Sequence, residues 1–359
     1  MGFTDNMFSK QMITLAYKQF IQNPAEFDEE ELFQVFDANY AFPIFADFIN
    51  NHTDVINVEE NAAVVALQFL YGGNTFFAKM YPKNPRVVLI TIVKDFDMPN
   101  QRAERFCNEV NRIDPIHQVG TLHKGNGKNH LVVTRQIILT PSIGDSSTVE
   151  LCVNQLSDYA SQLATGQLPK ADDWKKYAMR PRPGILGAEQ ILFPPKNDNS
   201  CLREFSKQCK VLAEDGEKTV HEMIQIDTKK THTVNCFGTE VNIDTQLIDD
   251  YTITTYKLYP YLAVISATIN PANYTSQRLL SDEFMLHCCS DWNKAIHFGV
   301  SKFIAITTSH RYGNNPDMFK FKIEMTTLLA EDINTYAFYH IIGSMEKAIG
   351  YLIKEHRIF

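Results

Sequence analysis

The sequence lacks the short motifs by which many enzymes can be recognised. It has no P-loop, no Gly-x-Gly-x-x-Gly, His-Glu-x-x-His or Gly-x-Ser-x-Gly pattern, and no EF-hand spacing. Each of these motifs places backbone amides, a nucleophile or metal ligands for one kind of chemistry. Their absence disfavours the common nucleotide-binding, zinc-protease, esterase and calcium-sensing classes. We therefore expect a non-enzymatic protein that carries no cofactor and no metal.

Basic clusters and long apolar runs are also missing. Acidic residues outnumber basic ones, 42 to 34, and the net charge of −8 disfavours nucleic acid as a partner. No apolar run approaches the ~18 residues that a membrane span needs, and the N-terminus has no secretory signal pattern. The cysteines number seven, an odd count, and form no Cys-x-x-Cys pair. We expect a cytoplasmic protein with reduced thiols that binds no membrane.

Hydrophobic periodicity predicts an alternating order of helices and strands in the first half of the chain. A helical region over 9–50 precedes three strands, and a short helix, two strands and a long helix follow. The predicted elements are strands Ala62–Tyr71, Asn74–Tyr81 and Arg86–Asp95, helix Asn100–Asn111, strands His117–Lys124 and His130–Thr140, and a helix from Ser147.

A segment rich in proline and glycine, 165–198, separates this half from a second one with a similar order. Extra strand-like material lies near 215–250. The predicted elements are helix Cys201–Ala213, strands Val220–Ile226, His232–Phe237, Val241–Ile248, Tyr251–Leu258 and Tyr261–Ile269, helix Tyr274–Lys294, strands Phe298–Thr308 and Met318–Leu329, and helix Glu331–Lys354.

The two halves share a motif at the end of the middle helix. Glu109-Val110-Asn111 in the first half matches Asp291-Trp292-Asn293 in the second, and two strands and a long helix follow both. An asparagine there can end a helix in the left-handed conformation and bond its own turn. This self-similarity predicts an internal duplication. We expect an α+β fold of two tandem domains, 1–164 and 199–359, joined by a linker over 165–198, each an antiparallel sheet with helices packed on one face.

This order of elements, with the Glu109-Val110-Asn111 and Asp291-Trp292-Asn293 motifs, resembles the YbjN-like proteins of the type III secretion chaperone-like fold. The resemblance covers about residues 28–163 and 200–354. Such domains are usually single and pair as homodimers, whereas this chain carries two. The resemblance implies a bacterial protein with a protein-binding, chaperone-like or regulatory role, and it carries over no catalytic residue.

Several histidines and cysteines are candidates for chemistry. His117, His123, His130 and His310 lie on or near the two predicted hairpins, where surface positions are favoured because no partner group stands at a fixed spacing. In His287-Cys288-Cys289, neighbouring cysteines of a helix point about 100° apart, so core thiols are favoured over a zinc site.

Aromatic side chains crowd two predicted hairpins. Strands alternate their faces, so Phe76 and Phe77 cannot both enter one core. Some of these rings therefore face either the other domain or a partner. The candidate partner-binding residues are Phe76, Phe77, Tyr81, Tyr256, Tyr259 and Tyr261.

Protein binding is the leading functional hypothesis. A groove or sheet edge would hold an extended or helical client segment, with acidic residues favouring basic clients. The folded unit would be a monomeric pseudo-dimer or a homodimer. The alternatives are a small-molecule sensor, with His123 or His310 in its pocket, and an enzyme that uses no recognisable motif.

Overall fold

The structure is a computed structural model of the 359-residue chain. It describes residues 44–60, 64–81, 84–124, 128–139, 146–178, 209–215, 218–223, 231–236, 239–244, 248–256, 259–269, 281–295, 301–307 and 319–328, with the single positions 345 and 350. Most of the predicted N-terminal and C-terminal helices, part of the predicted linker, and His310 lie outside these ranges.

The first half builds an antiparallel sheet with flanking helices. Among the described residues this sheet has six strands in the order β1-β2-β3-β4-β6-β5. Its elements are helix α1 (44–52), strands β1 (Asp54–Glu60), β2 (Val65–Tyr71), β3 (Asn74–Tyr81) and β4 (Asn84–Phe96), helix α2 (Asn100–Ile113), strands β5 (His117–His123) and β6 (Asn129–Ile138), and helix α3 (Ser146–Ala164).

The prediction of three strands before α2 is wrong, because β1 adds a fourth. All residues of β1 are exposed, so its sequence shows no alternation between a buried and a polar face. Where one face of a strand was buried, the prediction was close. The predicted strand Asn74–Tyr81 is confirmed with its bounds.

The second half builds another antiparallel sheet. In the described ranges it also has six strands, and β9 and β10 form a separate hairpin. The elements are β7 (Cys209–Asp215), β8 (Lys218–Met223), β9 (Thr231–Cys236), β10 (Thr239–Asp244), β11 (Ile248–Tyr256), β12 (Tyr259–Ile269), helix α4 (Asp282–Asn293), β13 (Ser301–Thr307) and β14 (Phe319–Leu328).

The predicted helix Cys201–Ala213 is wrong over its last residues, which belong to β7. Val211 and Leu212 are adjacent and both half exposed, so this part of the strand lacks the alternation of buried and exposed residues by which a half-buried strand is recognised. The remainder of that predicted helix, 201–208, lies outside the described residues. The extra strand-like material near 215–250 includes the β9–β10 hairpin.

The two sheets have the same connectivity once this hairpin is set aside. In the described residues the second sheet runs β7-β8-β11-β12-β14-β13, as the first runs β1-β2-β3-β4-β6-β5. In both, four strands precede a helix and the last two strands exchange places. Each sheet therefore has two edges, an outer edge at β1 or β7 and an inner edge at β5 or β13.

By their contacts the described residues form two compact units. One contains the residues up to Val93 together with Thr134–Ser161. The other contains Lys94–Val133, Gln162–Ala178 and the described residues from Cys209 onward. Helix α2 and strand β5 therefore belong to the same unit as the second sheet. The predicted domain boundaries stay a prediction.

An aromatic cluster forms part of the core of the first unit. Phe76 and Phe69 are fully buried and stack with ring centroids 5.5 Å apart, and Phe48 meets Phe69 edge-on at 6.1 Å. Phe77 points to the other face of β3 and remains 37% exposed. The expectation that only one of Phe76 and Phe77 enters the core is thus confirmed.

This difference in burial predicts different costs for removing the two rings. Phe76→Ala should lower the free energy of unfolding by about 3–5 kcal/mol, because it leaves a cavity in a packed core. Phe77→Ala should cost about 1 kcal/mol or less. Urea unfolding followed by circular dichroism measures both, and equal costs would contradict the assigned faces of β3.

Candidate functional site

Two buried asparagines bind the backbone of the inner edge strands. Asn111, in α2, donates from Nδ2 to the Val119 carbonyl at 2.7 Å and accepts the Val119 N–H at 2.9 Å. Asn293, in α4, does the same with Phe303, at 2.7 and 3.0 Å. Each amide thereby satisfies both backbone groups of one residue, in β5 or in β13.

These are the asparagines of the motif shared by the two halves, and their role is structural as expected. The expected left-handed helix end is wrong, because both residues lie within helical segments. Each clamps the next strand instead of bonding its own turn.

A second set of contacts joins each helix to the other inner edge strand, within the second compact unit. Asn108 of α2 donates from Nδ2 to the Ala305 carbonyl at 3.1 Å and accepts the Ala305 N–H at 2.8 Å. Ser290 of α4 lies 2.9 Å from Thr121 through their hydroxyl oxygens. Asn108 and Ser290 both lie three residues before the clamping asparagine of their helix. Helix α2 therefore contacts β13 from the same helical position from which α4 contacts β5.

The inner strands also cap the C-terminal ends of the two helices. Gln118 of β5 donates to the carbonyls of Asn293 and Ala295, at 2.9 and 3.0 Å. Lys302 of β13 donates to the carbonyl of Asp114, directly after α2. Donors suit these positions because the last carbonyls of a helix lack intrahelical partners and carry partial negative charge.

Lys302 is the unusual member of this set because it is a charged side chain that is fully buried. Burial lowers its pKa, and the negative charges of Glu324 and Asp114 act in the opposite direction. Its ammonium lies 3.9 Å from the Glu324 carboxylate, which also binds Lys322. The charge is therefore held between a helix end and a carboxylate, as a buried ion requires.

Gly120 permits the close approach of β5 to the end of α4. A Cβ at this position would lie 2.4 Å from the Lys294 backbone nitrogen and 2.6 Å from the Asn293 carbonyl carbon. No real Cβ fits at such a distance from backbone, so a side chain would force β5 away from α4. Gly120 is therefore needed for the contact between β5 and the end of α4. No sequence pattern around Gly120 indicates this contact.

A histidine–carboxylate cluster lies in the same unit. Oε1 of Glu104, on α2, is 3.0 Å from Nε2 of His123, at the end of β5, and 3.0 Å from Nδ1 of His287, on α4. The Glu104 side chain is 9% exposed, that of His123 27% and that of His287 59%. Sequence reasoning missed this cluster, because nothing local relates residue 104 to residue 287.

The other histidine candidates that the structure describes contact carboxylates of the same chain. His117 is fully buried against Asp114, 2.8 Å away, so its expected surface position is wrong. The side chain of His130 lies 3.0 Å from that of Asp95.

Cys288 and Cys289 are buried free thiols, as expected. Burial and the nearby negative charge of Asp291 raise the pKa of Cys288 to about 12.

The predicted partner-binding aromatics are only partly described. Phe76 belongs to the core, and Phe77 is the member of its pair with exposed surface. Tyr81 ends β3, Tyr256 ends β11, and Tyr259 and Tyr261 lie in β12, but their side chains fall outside the described part. Partner binding by these residues stays a prediction.

Among the sheet residues whose side chains the structure describes, the most exposed aliphatic ones lie on the outer edge strands. Val55, Ile56 and Val58 of β1 are 45–51% exposed, and Val211 and Leu212 of β7 are each 50% exposed. Both strands contain a one-residue bulge, at Ile56 and at Leu212, where the register with the neighbouring strand shifts. Among the described residues, neither strand pairs on its outer side.

Comparison of the chain with protein-family models, curated proteins and solved structures finds no match. None of the helices in the described ranges is both long enough and apolar enough to cross a bilayer.

The clamp geometry predicts matched effects for the two asparagines. Asn111→Ala and Asn293→Ala should each lower the free energy of unfolding by about 2–4 kcal/mol, because each leaves a buried N–H and a buried C=O without a partner. The control, Asn50→Ala, removes an exposed amide on α1 and should cost less than about 0.5 kcal/mol. If Asn111→Ala cost no more than Asn50→Ala in urea unfolding, the clamp would have no energetic role.

Proposed function

We propose that the chain contains two copies of one α+β unit and that it binds an extended segment of a client protein at an outer sheet edge. The proposal retains the predicted duplication, the chaperone-like fold with helices on one face of each sheet, and a cytoplasmic location. The folded unit would be a monomeric pseudo-dimer or a homodimer of such chains.

The duplication is supported by connectivity and by contacts. The two sheets share their strand order within the described ranges. Asn111 and Asn293 clamp equivalent strands, and Asn108 and Ser290 make reciprocal contacts with them. Unrelated domains would not be expected to place such contacts at matching positions of matching elements.

The contrast between inner and outer edges carries the binding proposal. An edge strand presents unpaired N–H and C=O groups that can pair with another chain. On β13 the outward groups of Phe303 and Ala305, two residues apart, are already bound by asparagines. On β5 Val119 is bound in the same way. The outer edges at β1 and β7 have no such side-chain closure in the described part of the chain.

Apolar surface and charge define the client that fits. The exposed aliphatic side chains of β1 give an incoming strand an apolar contact, and Asp54, Glu59 and Glu60 on the same strand are exposed acids. With a net charge of −8, the protein attracts basic segments. The expected client is an extended segment in which basic and aliphatic residues alternate.

The bulges at Ile56 and Leu212 fit a binding edge that avoids self-association. A bulge interrupts the regular ladder and increases the local twist. Edge bulges are one device by which proteins prevent indiscriminate strand pairing. A short client segment can pair beside the bulge, whereas a long flat sheet edge of a second copy cannot.

Edge binding is tested with a fluorescent peptide of alternating lysine and valine and a version methylated on alternate backbone nitrogens. Anisotropy should show binding of the first peptide and a loss of about tenfold or more in affinity for the second, because methylation removes the ladder donors. The double variant Val58→Lys, Val211→Lys should weaken binding by about tenfold through charge repulsion.

Leu151→Lys and Leu168→Lys are the matched controls, since both leucines are as exposed as the edge valines but lie outside the strands. They should leave the affinity unchanged. Equal binding of both peptides, or equal loss in edge and control variants, would overturn edge binding. A metabolite that raised the melting temperature while no peptide bound would favour the sensor hypothesis instead.

A further inference from the structure

In the histidine–carboxylate cluster, two hydrogen-bond acceptors face each other if His123 is neutral. Asn129 donates from Nδ2 to the Met98 carbonyl, so its Oδ1 is the atom that faces Nδ1 of His123, 2.7 Å away. His123 therefore donates from Nδ1. In the neutral ring this leaves a lone pair on Nε2, and that atom faces Oε1 of Glu104 at 3.0 Å.

Two lone pairs in contact require a proton or a cation between them. The same Glu104 oxygen is also approached by Nδ1 of His287 at 3.0 Å. One carboxylate oxygen thus faces two imidazole nitrogens, one of which is fixed as an acceptor in its neutral form. A bound cation would satisfy all three atoms at once.

We propose that Glu104, His123 and His287 bind a divalent transition-metal ion, with Zn²⁺ as the ion that fits this ligand set. The ligand atoms are Oε1 of Glu104, Nε2 of His123 and Nδ1 of His287, which all lie within 4.8 Å of one another. Two imidazoles and one carboxylate form a known zinc ligand set, whereas Mg²⁺ and Ca²⁺ prefer oxygen ligands throughout.

The spacing is close to that of zinc coordination. Two ligands of a tetrahedral Zn²⁺ ion, each about 2.1 Å from the metal, lie about 3.4 Å apart. Both distances from the Glu104 oxygen to the histidine nitrogens are 3.0 Å, and the three ligand atoms all lie within 4.8 Å of one another. A movement of the exposed His287 ring would bring the three atoms to the spacing of a tetrahedral site.

The surroundings provide the support that metal ligands usually have. The bond from Nδ1 of His123 to Asn129 orients the ring and leaves Nε2 for the ion, which is the common arrangement behind metal-bound histidines. Glu104 is nearly buried, while His287 faces solvent and leaves an entry path. The ion would join α2 and β5 to α4 and leave at least one coordination position for water.

The site is tested on the full chain after removal of metal by a chelator and dialysis. Calorimetric titration with Zn²⁺ should show a single tight site, and titration with Mg²⁺ should show none. Zn²⁺ should also raise the melting temperature. Co²⁺ should give d–d absorption bands without a thiolate charge-transfer band, because the proposed ligands exclude Cys107 and Cys288.

His287→Ala is the main variant, because its exposed side chain can be removed with little risk to folding. It should weaken Zn²⁺ binding by at least ~10-fold. Glu104→Gln should do the same. His52→Ala, which removes an exposed histidine on α1, is the control and should leave binding unchanged.

Three results would contradict the metal site. No Zn²⁺ binding in the wild type would show that hydrogen bonds alone hold the cluster. A thiolate charge-transfer band with Co²⁺, or an equal loss of affinity in His287→Ala and His52→Ala, would place the ion elsewhere. None of these results depends on whether a peptide binds at β1 or β7.

Discussion

Satisfaction of buried backbone groups at the inner sheet edges is the constraint on which the rest of this structure depends. An edge strand that is buried without a neighbouring strand leaves donors and acceptors without partners, at a cost comparable to lost hydrogen bonds. Asparagine side chains remove that cost at Val119, Phe303 and Ala305, each by one donated and one accepted bond. Helices and strands can then pack at these edges in place of further sheet.

The other features of the second compact unit follow from this arrangement. Once β5 lies against the end of α4, only glycine fits at residue 120. The helix ends that meet the strands need donors, and Gln118 and the buried Lys302 supply them. The same packing brings Glu104, His123 and His287 to one place. Among the described residues nothing closes the outer edges in this way, so they keep the backbone groups with which the proposed client strand would pair.

The sequence predicted the parts of the fold in which one face of an element is buried. Helix α2 has an apolar stripe at helical spacing and strand β3 alternates loosely, and both predicted starts are confirmed. Strand β1 is exposed along its whole length, and β7 carries adjacent exposed aliphatic residues, so neither has a periodic pattern that could be recognised. Strand β1 has no buried face in the described structure, so packing imposes no alternation on its sequence.

The candidate sites were less predictable than the fold. The shared motif pointed to Asn111 and Asn293, but not to the strands that they clamp, since a helix residue and its partner strand meet only in the folded chain. Glu104 and His287 come from distant helices and have no common spacing. The sequence marks His123 as a candidate pocket residue, but its partners Glu104 and His287 are brought to it only by folding.

Amide hydrogen exchange tests the central contrast between closed inner and open outer edges most directly. The N–H groups of Val119, Phe303 and Ala305 should exchange slowly, because asparagine oxygens accept them in the buried interior. The outward-facing N–H groups of β1 and β7 should exchange rapidly. Fast exchange at the three inner residues, or equal protection of inner and outer edges, would contradict the account.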